Sequence, residues 1–217
     1  MKVFRSTIIV LAALGGVAMA IEEPDYEVVK HYDGFELRRY SSYVVAETEV
    51  TAGFEAAGND GFRRLFRFIG GANAGNRKIP MTAPVGQSPG AAVGQGEAIP
   101  MTAPVTQRSV TDDGGAETHM ISFAMPKSYT MATVPKPTDA RIRIREVPAR
   151  LVAARRYRGG WGQAAYQKHV KALLKGVGKA GITTTSSPFW ARYNSPFSLP
   201  ILRRNEVLVT VDAAAAE

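Results

Sequence analysis

Three features of the 217-residue chain predict an α+β fold. Seven stretches carry the composition and alternation of half-buried strands, and two others carry helical spacing. Strands and helices do not alternate in the βαβ rhythm that builds a parallel sheet. Finally, sliding the chain by 107 residues lays Phe35–Ala46 over Ile142–Ala153 without a gap, with Arg38/Arg145, Val45/Val152 and Ala46/Ala153 identical. The register continues to Gly53-Phe54 over Gly160-Trp161, where each helix opens. A strand–strand–helix unit used twice around one core accounts for that match.

In chain order, Tyr26–His31 and Phe35–Tyr40 read as strands joined at the Asp33-Gly34 turn. Tyr43–Val50 follows as a third. The first helix is expected over Gly53–Ile69, with Phe62, Leu65, Phe66 and Ile69 at 3–4 spacing, Gly58 and Gly61 weakening its start, and Gly70-Gly71 ending it. His119–Met125 is a strand stopped by Pro126. The clearest strand is Arg141–Val147, where charged and β-branched residues alternate. Leu151–Tyr157 and Val207–Val211 complete the set. The second helix is expected over Gly160–Lys175, with Tyr166, Val170, Leu173, Leu174 and Val177 on one face. Gly176-Val-Gly-Lys-Ala-Gly181 matches G-x-G-x-x-G but follows a helix instead of a strand, so it reads as a glycine helix stop and not a nucleotide cradle.

With 45% hydrophobic and 21% charged residues, the chain is globular. No cysteine is present, which excludes disulfides, thiolate metal sites, covalent haem attachment and a thiol nucleophile. Residues 1–20 read as an export signal: Lys2 and Arg5 come first, an apolar stretch runs from Ile8 to Val17, and Ala18-Met19-Ala20 matches a small-x-small cleavage site. That stretch is too short for a stable membrane span. Cleavage leaves one domain, residues 21–217, in the periplasm of a bacterial cell. It takes Lys2 and Arg5 from the 27 cationic side chains and none of the 19 acidic ones, so the net charge falls from +8 to +6. The surplus favours acidic small molecules or anionic surfaces. Nucleic acid is not the expected partner, because the arginine pairs Arg38-Arg39, Arg63-Arg64, Arg155-Arg156 and Arg203-Arg204 are dispersed along the chain.

A shorter repeat stands out. Ile79-Pro-Met-Thr-Ala-Pro-Val85 recurs as Ile99-Pro-Met-Thr-Ala-Pro-Val105, separated by a loop rich in Gly, Ala and Gln. Two prolines four residues apart exclude a helix interior and a central strand, so each copy is an extended or bulged segment with Met and Val free to line a cavity.

With Lys78–Val85 and its second copy, Phe123-Ala-Met-Pro-Lys127, Pro135-Lys-Pro-Thr138, Ala191-Arg-Tyr-Asn-Ser-Pro196 and Arg203-Arg-Asn-Glu-Val207, the chain resembles the SOUL haem-binding family from about Tyr26 to Asp212. The resemblance implies a distorted antiparallel β-barrel or sheet flanked by two helices, with pseudo-twofold symmetry. It also implies binding of haem or a related tetrapyrrole in an apolar groove beside the first helix. On this chain Phe62, Phe66 and Ile69 would line that groove, with Arg67 placed to pair with a propionate. Aromatic walls and a cation suit a flat apolar disc bearing two carboxylates. The plainer reading, in which these side chains pack the core, stands beside it and is strongest for Ile69.

Some family members carry an iron-ligating histidine in the segment matching Phe35–Tyr40. Here the residue is Arg39, whose guanidinium is not an ordinary iron ligand. Binding through apolar contacts without an axial histidine is therefore expected. Of the three histidines, His31 is expected at the surface, His119 at a strand start and His169 on the rim of the second helix. None has metal-site spacing. Met81, Met101 and Met125 offer thioether sulfur to an iron, or serve as core and pocket wall. Glu206 is the one carboxylate inside a family motif. Either it is bridged to Arg203 or Arg204, or it acts as a pocket base or a partner for cationic ligands. Two function classes follow: a non-enzymatic tetrapyrrole carrier or buffer, or an enzyme acting on a tetrapyrrole or another planar compound. No convergent acid–base pair is visible, which favours the first.

Overall fold

The computed structural model describes residues 22–75, 96–110, 117–194 and 198–216. Its strands are β1 (Tyr26–Tyr32), β2 (Phe35–Tyr40), β3 (Tyr43–Thr51), β4 (Asn73–Ala74), β5 (Val105–Ser109), β6 (Thr118–Ala124), β7 (Lys136–Pro137), β8 (Ile142–Val147), β9 (Arg150–Arg158), β10 (Phe189–Arg192) and β11 (Arg204–Thr210). The helices are α1 (Phe54–Ile69) and α2 (Gln163–Lys179). Nine strands form one antiparallel sheet in the order β1-β2-β9-β11-β10-β5-β6-β3-β8, and β4 pairs with β7. This is the α+β arrangement expected.

Shifting β2 and β3 by 107 residues reproduces the bounds of β8 and β9. Register obeys the same shift. Glu36 pairs with Ala154 across β2 and β9, and Arg143 pairs with Glu47 across β8 and β3. With β1 set aside, the sheet order reads as two matching halves that meet where β10 joins β5, at the Trp190–Gln107 pair. β2 and β8 each cross over to join the other half.

Those crossovers curl the sheet. Two-residue turns join β2 to β3 and β8 to β9, although these strands lie far apart in the sheet order. The ends must therefore approach each other, and the rings of Tyr40 and Tyr43 lie 6.5 Å apart. The result is a half-barrel. Both helices cover its outer face: α1 buries Phe54, Ala57, Leu65, Phe68 and Ile69 over β3 and β6, and α2 buries Tyr166, Leu173 and Val177 over β9 and β11. A third cluster, with Tyr40, Val152, Phe189, Tyr193 and Leu208, fills the inner face.

Several expectations shift in detail. Gly58 and Gly61 do not weaken α1 but let it approach the sheet: a Cβ on Gly61 would sit 2.6 Å from Ile121 Cγ1, and one on Gly58 2.7 Å from Gln107 Oε1. Phe68, not Phe66, points inward. α2 runs through Gly176 and Gly178 to Lys179, so the glycine run does not stop it at Lys175; the chain turns at Gly181, with φ +71°. Leu174 stays 38% exposed, off the buried face. Strand β11 opens at Arg204, earlier than its apolar core suggests, and β5 and β10 were not foreseen. No helix among the described residues is long and apolar enough to cross a membrane.

Candidate functional site

The outward side of α1 carries the aromatic pair singled out from sequence. Phe62 and Phe66 are four residues apart, so their rings overlap on one helical face. They stack with centroids 5.8 Å apart and planes at 13°. Phe62 is half-buried and leans on Phe123 of β6 at 5.4 Å, while Phe66 is 46% exposed. Arg67 is exposed next to them. The helix's other arginines are engaged: Arg63 pairs with Asp60, and Arg64 reaches Thr48 and the carbonyl of Glu49. The Arg67 side chain has no hydrogen bond or ion pair among the described residues. Ile69 is 4% exposed and belongs to the core beneath α1, as the packing alternative held.

The second motif copy runs past the C-terminal end of α1. Asn73 ties the two together, donating to the carbonyls of Phe68 and Glu97 at 2.9 and 2.7 Å and accepting from the Glu97 N–H at 3.0 Å. Ile99 N–H then donates to the Ile69 carbonyl at 2.7 Å. Ile99 and Val105 are buried, whereas Met101 is 40% exposed. The first copy, with Met81, lies outside the described residues.

None of the histidines reaches the Phe62–Phe66 face. His31 is on β1, largely exposed, 3.6 Å from Glu36. His169 stacks on Tyr157 at 3.9 Å, and burial, with Arg155 and Lys168 nearby, lowers its pKa. His119 is fully buried and meets Phe54 edge-on at 5.6 Å. Phe54 opens α1, and Phe66 lies about 18 Å further along the helix at 1.5 Å per residue. Arg39 is exposed, 3.7 Å from Glu27. Among the described residues no group of three or more His, Cys, Asp or Glu could hold a metal ion.

Glu206 sits at zero exposure on the inner face. Its two oxygens accept from Arg38 at 2.7 and 3.2 Å, from Arg204 Nε at 3.0 Å and from the Tyr193 hydroxyl at 2.8 Å. Arg38 continues to Glu36, and Arg204 to Glu23. Burial pushes the Glu206 pKa up, but the arginines and Tyr193 outweigh it, and the net shift is downward. Burial drives the Tyr193 phenol well above its usual range. A carboxylate whose lone pairs are all occupied, held ionised, does not serve as a proton-accepting base. Of the two bridges expected, to Arg203 or to Arg204, the one to Arg204 forms; Arg38, 168 residues away, was not foreseen.

The two largest of the cavities described lie elsewhere. One of about 530 Å³ lies between the N-terminal segment and the loop after β6, lined by Glu22, Asp25, Met125, Lys127, Tyr129 and Met131. Its acids Glu22 and Asp25 bind Lys127. The other, about 380 Å³, lies on the inner face and is lined by Tyr43, Arg108, Arg145, Arg150 and Phe189 among others. Neither was signalled by sequence, because each gathers residues from segments distant in the chain.

Comparison with curated proteins finds no match. Among solved structures, the chain is similar to the C-terminal domain of EcmrR, with TM-score 0.57 and 12% identity over 86% of this chain and 98% of that one. It is also similar to an uncharacterized conserved protein from Listeria innocua, with TM-score 0.56 and 10% identity over 82% and 92%. At such identities the likeness shows a shared fold. The model of the SOUL heme-binding protein family matches residues 21–94 and 90–210, nearly the whole of the chain after its first twenty residues. The chain belongs to the SOUL heme-binding protein family.

Proposed function

We propose that this protein binds haem or a related tetrapyrrole against the exposed aromatic face of α1, as an exported carrier or buffer, without an axial histidine. The observation that carries this reading is the Phe62–Phe66 stack, open to solvent at Phe66 and flanked by Arg67, the one arginine of the helix without a partner among the described residues. A porphyrin laid on the rings exchanges water for aromatic contact, and a propionate pairs with the guanidinium. The family description supports haem as the ligand class. Met101, exposed, follows two residues after Ile99, whose N–H donates to the last carbonyl of α1. The positions of His31, His119 and His169 support binding through apolar contact. Lys2, Arg5 and Ala18-Met19-Ala20 support export and cleavage before Ile21.

Titrating the purified protein with haemin and with metal-free protoporphyrin tests this. Both are expected to bind, haemin with a broad, weakly shifted Soret band that His31→Ala leaves unchanged. A sharp low-spin spectrum abolished by a single histidine substitution would overturn the reading.

A further inference from the structure

The inner face of the half-barrel holds a cleft whose chemistry differs from that of α1. Sheet curl brings β3, β5, β8, β9 and β10 around it, although β8 and β9 lie on opposite halves of the sheet. Among the described residues three arginines line it, Arg108, Arg145 and Arg150, and no aspartate or glutamate does. Arg145 is neutralised from outside the lining by Glu47, which accepts from its Nε at 3.1 Å and from Nη2 at 2.9 Å. Arg108 and Arg150 have no carboxylate partner among the described residues. Arg150 donates through Nη2 to the Tyr43 hydroxyl at 3.1 Å and lies 5.5 Å from the Phe189 ring centroid. Its Nε is buried with no hydrogen-bond partner among the described residues.

We infer that this cleft is an oxyanion site, taking the carboxylate or phosphate group of a small free molecule. A buried guanidinium N–H without an acceptor is an unmet demand for one. Planar donor forks meet carboxylate and phosphate oxygens in pairs, which suits Arg150 with Arg108. The hydroxyls of Thr106 and Ser122, on the same lining, supply further donors, and Phe189 and Val147 give an apolar floor for the rest of the ligand. A volume of about 380 Å³ is at the small end of ligand pockets. The site is separate from the aromatic face of α1, which lies on the outer side of the sheet, so it stands or falls apart from porphyrin binding.

Calorimetric titration of the full chain with inorganic phosphate and with citrate, at low and moderate salt, tests the inference. Saturable binding of at least one probe is expected, weakening as salt rises. Arg150→Gln and Arg108→Gln should each weaken it at least tenfold, and Arg67→Glu should leave it unchanged. Arg108 is exposed, so Arg108→Gln is expected to keep the wild-type unfolding midpoint and remains informative if Arg150→Gln fails to fold. Absence of binding by both probes would overturn the inference. So would binding that survives Arg108→Gln in a folded protein, or that is lost in Arg67→Glu.

Discussion

Glu206 shows how a carboxylate inside a motif can be fixed in a structural role. Four donors hold it at zero exposure, and Arg38, itself 3% exposed, depends on it for charge balance. Glu206→Gln would leave the buried Arg38 with only the partly exposed Glu36 as its counter-charge, and a loss of up to about 3–5 kcal/mol is expected in denaturant unfolding. Because the folded carboxyl has a lowered pKa, its contribution is present above the unfolded value near 4.5 and is lost as pH falls through the folded one. The pH dependence of stability below 4.5 should therefore be shallower in Glu206→Gln; an unchanged slope would assign acid sensitivity to other groups. Arg67 is the opposite case. Arg67→Glu is expected to leave the unfolding midpoint unaltered, since the side chain bonds nothing among the described residues, yet to weaken porphyrin binding by about 1–3 kcal/mol by replacing a propionate partner with a like charge. At this scale the sequence was partly legible. It singled out Arg67 and Glu206, but it could not show that Arg38 sits against Glu206, because that contact exists only once β2 has paired with β9 and β9 with β11.

Helix α1 sets the relation between core and site. Its 3–4 spacing was readable, but Phe66 and Phe68 are both aromatic, and only packing decides which faces the sheet. The decision follows from Gly58 and Gly61, which have no side chain and mark the line of closest approach to Gln107 and Ile121. Phe54, Leu65, Phe68 and Ile69 are buried with those glycines, leaving Phe66 outside. Gly61→Ala should therefore destabilise the protein, by about 1–3 kcal/mol for overpacking, with Ile121→Val recovering part of the loss. Gly178, inside α2 with open space where a Cβ would stand, should behave oppositely. Gly178→Ala is expected to stabilise by about 0.4–1 kcal/mol. Paired thermal melts check the contrast, and a destabilising Gly178→Ala would mean that α2 frays before that point. The extent of α2 was misjudged from sequence because glycine is a usual helix stop, whereas here tertiary packing of Val177 carries the helix through two of them.

At the scale of the whole molecule, the 107-residue shift was the most informative signal in the sequence. It located four strands and the start of α1, with α2 opening two residues later than the shift places it, and the pairing of β2 with β9 and of β3 with β8 follows the same shift. Strands β5 and β10, which join the two halves, escaped because they are short and were read as motif or loop. The cleft they border was invisible for the same reason: its arginines come from β5, β8 and β9. Fold and aromatic face together make one central claim, that a tetrapyrrole sits on the outer side of α1 and is held by Phe66 without an imidazole ligand. The most direct test is the affinity of haemin, followed at the Soret band, for wild type and Phe66→Ala. Since Phe66 is 46% exposed, the variant should keep its unfolding midpoint while binding roughly tenfold more weakly, the equivalent of about 1.4 kcal/mol of lost apolar contact. Equal haemin affinity in folded Phe66→Ala and wild type would contradict the account and move the site off α1.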